Sequence, residues 1–134
     1  MQRPVQRPNL IALFLQSLAG TGLGALGATA LGIVWAVGFK MLVPDVLEAW
    51  RAVGALLGFA AASPIGVKAM ARYQGFTGSV LLSIAFGGAV ALAAAVCGLV
   101  VPGDAGEALL YLLPLLIPPL SVWGYNALNV RPPA

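Results

Sequence analysis

The stretch LIALFLQSLAGTGLGALGATALGIVWAVGF, residues 10–39, carries no charged side chain. About 20 apolar residues suffice to cross a hydrocarbon core about 30 Å thick, so this run spans a bilayer with length to spare. The surplus predicts either a tilted helix or an interfacial first turn around Asn9 to Gln16.

Three more runs follow. Ala52 to Val67 is bracketed by Arg51 and Lys68. It reaches spanning length if both cations snorkel outward and the helix extends over 48–70. Phe76 to Val101 is again uncharged and stops at Pro102-Gly103-Asp104, a turn signal. Ala108 to Leu128 is apolar but contains Pro114, Pro118 and Pro119, which predicts a kinked or broken helix. A membrane β-barrel is a poor alternative, because its strands need only about ten alternating residues. The reading is an all-α integral membrane bundle of four transmembrane helices forming one domain over residues 1–134, with spans at about 10–39, 48–70, 76–101 and 107–128.

Composition agrees. The chain is 60% hydrophobic and 8% charged, whereas soluble domains are roughly 45–50% apolar and 25% charged. Seven basic and four acidic side chains cannot cover a water-facing exterior, so membrane lipid is the expected partner. The cations form no stripe, which argues against nucleic acid. With Cys97 alone and no histidine, a single copy builds no disulfide, no Cys/His metal cluster and no imidazole acid-base pair. Cys97 reads as a small apolar filler. No catalytic residue, metal or cofactor is expected.

Cation placement favours cytoplasmic N- and C-termini. That orientation puts Arg3, Arg7, Lys68, Arg72 and Arg131 inside and Lys40 and Arg51 outside. Trp35, Trp50 and Tyr111 then lie near outer ends and Tyr73, Trp123 and Tyr125 near inner ends, as interfacial belts. Arg3 and Arg7 before an apolar run, with Ala28-Thr29-Ala30 beyond, also raise a cleavable signal peptide. The run continues through that site to Phe39, so a retained first span is preferred.

Every fourth residue of the first span is small: Gly20, Gly24, Ala28, Gly32, Ala36. The second span repeats the order with Gly54, Gly58, Ala62 and Gly66, and Thr29, Leu31 and Ile33 are matched by Ser63, Ile65 and Val67 at the same offset. This is a weak internal repeat. The third span carries Gly75, Ser79, Ser83, Gly87, Ala91 and Ala95. Helices in lipid gain nothing hydrophobic by touching each other, so bare backbone that allows close approach is the expected adhesive. The fourth span is leucine-rich (Leu109, Leu110, Leu112, Leu113, Leu115, Leu116) and is expected to face lipid.

An ionised group near mid-membrane usually marks an ion path or relay, and none occurs in these spans. Gln16, Thr21, Thr29, Ser63, Thr77, Ser79, Ser83 and Asn126 are the polar residues in or near them. Asp45, Glu48 and Arg51 read as an exposed charge pair and a favourable helix start. Gly22, Gly24 and Gly27 match Gly-x-Gly-x-x-Gly, but no strand precedes them, so the dinucleotide fingerprint fails. The same stretch is superficially similar to the inner helix of rotary ATP synthase ring subunits, and the chain matches small multidrug exporters in size. Both classes depend on a membrane-embedded carboxylate that is missing here.

Ser63-Pro64-Ile65-Gly66-Val67, Gly75-Phe76-Thr77-Gly78-Ser79, Pro118-Pro119-Leu120 and Gly124-Tyr125-Asn126 together resemble small glycine-rich four-span bacterial membrane proteins of unassigned role. The resemblance implies a bacterial inner-membrane protein built as a pair of hairpins, and no activity. The expected function is a non-catalytic packing or accessory component, oligomeric or docked on another membrane protein through its glycine-zipper faces. The alternative is a small transporter or channel for a neutral or weakly polar solute, lined by Ser63, Pro64, Ser79 and Ser83.

Overall fold

The computed structural model describes residues 8–42 and 48–127, without the side chains of Glu48, Ala49 and Arg51. Arg3, Arg7, Asp45, Leu128 and Arg131, and the proposed Asp45/Glu48/Arg51 cluster, therefore lie outside the described parts. The architecture is all-α: α1 (Leu10–Leu42), α2 (Glu48–Tyr73), α3 (Val80–Val100), α4 (Asp104–Leu112), a 3-10 turn (Leu113–Leu116) and α5 (Ile117–Ala127). α4, the turn and α5 form one span, giving four helices long and apolar enough to cross a membrane. The near face holds the start of α1, the end of α2, the start of α3 and the end of α5. The far face holds the other ends.

Local chemistry sets the boundaries. Asn9 starts α1, its Oδ1 accepting from the Ala12 amide at 2.8 Å, which satisfies one of the orphan first-turn donors. α2 runs on through Pro64 and past Met70. It ends in a Schellman cap, with Gly75 at φ +80, the Gly75 amide on Arg72 O at 3.0 Å and the Phe76 amide on Ala71 O at 2.8 Å. Phe76 then turns inward against Val67 and Ala71. Ser79 caps α3, its Oγ accepting from the Leu82 amide at 3.3 Å. The third helix thus begins later than the uncharged run does.

Proline breaks the fourth span where expected. Pro114 opens the 3-10 turn, and Pro118 and Pro119 fall in the first turn of α5, where a missing amide hydrogen costs no helical bond.

The placement of the fourth span differs from its leucine-rich reading. Leu112, Leu115 and Leu116 are exposed, but Leu110 is buried and Ile117, Pro118, Ser121, Val122, Gly124 and Tyr125 line the interior. Its small residues decide this. A Cβ on Gly124 would meet Leu82 O at 2.6 Å, and one on Gly87 would meet Ser121 Oγ at 2.6 Å, so α3 and α5 approach almost to backbone contact.

The first two helices form an equally close hairpin. A Cβ on Gly58 would strike the Gly27 carbonyl, one on Gly27 the Gly58 carbonyl, and one on Gly66 the Ala19 carbonyl. Gly54 leaves room for the Trp35 indole, and Gly20 for Ser63 and Val67. α2 is the most buried span and α1 the least. The core divides into one cluster of Leu56, Ala91, Ala94, Leu110 and Ile117 and another of Val67, Ala71, Val122 and Tyr125.

Candidate functional site

The small-residue rows distribute themselves unequally. Gly20 and Gly24 are buried against α2, and the next close approach on α1 is Gly27, not Ala28. At 3.6 residues per turn each four-residue step overshoots a full turn by about 40°, so by Ala36 the row has turned about 160° from Gly20. Ala28, Gly32 and Ala36 accordingly border a cleft, although Gly32 also packs on Ala55. On α2, Gly54, Gly58, Ala62 and Gly66 all meet α1. On α3, Ser83, Gly87, Ala91 and Ala94 are buried, whereas Gly75 and Ser79 serve as caps and Ala95 is only half-buried.

Near the near face, three amides form a chain between helices. Gln16 is fully buried. Its Nε2 donates to Gln74 Oε1 at 2.9 Å, and its Oε1 accepts from Asn126 Nδ2 at 2.8 Å. Gln74 Nε2 donates to Ala12 O at 3.4 Å, and Asn126 Nδ2 also donates to Val122 O at 2.8 Å. Ser79 N donates to the O of Tyr125, the residue before Asn126, at 3.0 Å. Gln16 and Asn126 stand among the polar residues recognisable from sequence, but Gln74 does not. The signal for it was Gly75, a helix-stop glycine that carries the second helix to Gln74 and turns it toward α1.

Three fully buried hydroxyls, on Ser63, Ser83 and Ser121, take no hydrogen bond among the described residues, and neither does Asn126 Oδ1. An unpaired buried hydroxyl costs roughly 1–3 kcal/mol. Ser63 faces Gly20 and Ser121 faces Gly87, so serine acts here as a small residue at a close helix crossing.

Toward the far face the bundle opens. A cleft of about 670 Å³ is bordered by Ala28, Thr29, Gly32, Ile33 and Ala36 of α1, by Ala52, Ala55, Leu56 and Phe59 of α2, and by Leu110, Tyr111, Pro114 and Leu115 of the fourth span. Ser63, Pro64, Ser79 and Ser83 do not border it. Thr29 spends its hydroxyl on Ala25 O at 2.9 Å, leaving the walls largely apolar. Above the cleft, Trp35, Phe39 and Trp50 cluster in tilted and edge-to-face contacts with centroids 4.8, 5.5 and 5.6 Å apart, and Trp35 Nε1 donates to Trp50 O at 3.1 Å. Amides and apolar walls orient and bind, but they supply no proton at ordinary pH.

Comparison with family models, with curated proteins and with solved structures finds no match to this chain. Function has to be argued from the site alone.

Proposed function

We propose that this chain is a non-catalytic packing component of a bacterial inner membrane, with cytoplasmic termini, associating with a second copy of itself or docking on a larger membrane complex. The supporting observation is the outward face of α3. Ala85, Gly88, Ala89 and Ala93 are exposed there, and nothing lies within 4 Å of a Cβ placed on Gly88. Between α1 and α2, and between α3 and α5, such small residues are closed by the facing helix, and a bare row in lipid favours a helix over a disordered tail.

Chemical cross-linking and light scattering in mild detergent test the proposal. The wild type should run as an oligomer or with a co-purifying membrane partner, and Ala89→Leu should release it while leaving the helical content unchanged. A strict monomer without a partner at every detergent concentration refutes it. The transporter reading draws less support, because none of its four lining residues borders the cleft.

A further inference from the structure

We infer that the far-face cleft binds one acyl chain of an anionic membrane phospholipid, whose phosphate is held by Lys40. This goes beyond the packing role and does not depend on it. Three features coincide. The first is depth: from Ala36 to Ala28 the cleft wall runs eight residues along α1, or about 12 Å, and Lys40 lies about 6 Å farther out. One leaflet contributes about 15 Å of hydrocarbon. The cleft is therefore as deep as a single leaflet, and Ala28 sits near the middle of α1.

The second feature is closure. At the near face α1 is tied to α5 through Gln16 and Asn126, so the wedge between α1 and the fourth span closes toward the near face and widens toward the far face. A transmembrane helix runs through both leaflets and would meet that closed end. A lipid chain stops at the midplane.

The third feature is the mouth. At 100° per residue, Lys40 falls within the arc of α1 that Ala28, Thr29, Gly32, Ile33 and Ala36 present to the cleft. Its side chain is exposed. The Trp35, Phe39 and Trp50 cluster marks the headgroup level, where such rings gather. A lysine there can lay its stem on the apolar wall and present its ammonium to a phosphate, a pull of about fivefold toward an anionic over a zwitterionic lipid, while the opposing carboxylate of Glu107, one turn before Tyr111 on the facing wall, is exposed to water.

Native mass spectrometry of the purified protein, offered phosphatidylglycerol and phosphatidylcholine with identical acyl chains, tests this. The wild type should retain phosphatidylglycerol about fivefold over phosphatidylcholine. Lys40→Gln should bring the two lipids to parity, and Ala36→Leu, which narrows the mouth, should lower retention of both. Glycerol phosphate alone should displace neither. Equal retention by the wild type, an undiminished preference in Lys40→Gln, or displacement by the headgroup alone would overturn the inference. Should Ala36→Leu instead dissociate an oligomer and leave lipid retention unchanged, the cleft belongs to a second copy and the inference fails.

Discussion

Gly58→Ala adds a single methyl group at the closest point of the α1–α2 hairpin. The new carbon would lie on the Gly27 carbonyl, with the Gly27 carbonyl carbon at 2.6 Å and Leu31 Cβ at 2.9 Å. Ordinary contact starts near 3.4 Å, so the helices must separate by about 1 Å. What obstructs is backbone, which cannot rotate aside. Separation weakens Cα–H to carbonyl contacts at two crossings, Gly27 with Gly58 and Gly66 with Ala19, each worth about 0.5–1 kcal/mol. Overpacking adds about 1–3 kcal/mol, and the better helix propensity of alanine returns about 1 kcal/mol. The expected net loss is about 2 kcal/mol, or roughly thirtyfold in the unfolding constant. Reversible unfolding in mixed micelles, followed by circular dichroism, measures it. Gly22→Ala is the control, since nothing lies within 4 Å of its Cβ. If Gly58→Ala and Gly22→Ala agree within about 0.5 kcal/mol, the close-approach argument is wrong.

Gly24→Ala should cost less than Gly58→Ala, because the obstruction is the Phe59 ring at 2.9 Å and a side chain can turn. The same micelle titration ranks the two. Gln16→Leu should destabilise by about 1 kcal/mol, and a double-mutant cycle with Asn126→Leu should show coupling near 0.6 kcal/mol; strictly additive losses would remove the amide chain from the account. Gly87→Ala collides with Ser121 Oγ, so pairing it with Ser121→Gly should recover part of the loss. Gly75→Ala places a Cβ at φ +80 and should cost about 1–2 kcal/mol through the α2 cap, with proteolysis at the α2–α3 turn as an independent readout.

The four helices were legible because uncharged length is a one-dimensional property. Runs such as residues 10–39 need no knowledge of their neighbours to be assigned to lipid. Small residues at Gly58 and Gly66 were legible for the same reason, as bare backbone has one main use in a bilayer. Which face meets which helix was not legible. A row spaced strictly by four winds around its helix, so Ala28 and Ala36 leave the contact that Gly20 and Gly24 make, and Gly27 enters it. The fourth span was misread because counting leucines at 109–116 weights its first half, while Ser121, Gly124 and Tyr125 place its second half in the interior. Gln74 lies beyond residue 70, where the uncharged-length reading ends the second span, and the helix in fact runs on to Tyr73.

The Gln16 to Asn126 hydrogen bond joins positions 110 residues apart. Spans enter the bilayer in order during synthesis, so Gln16 waits in hydrocarbon without this partner until the last helix arrives. The first hairpin assembles from its own contacts, but the bundle is latched only once the fourth span has been made. A chain halted before α5 leaves Gln74 as the only side-chain partner of the Gln16 amide among the described residues.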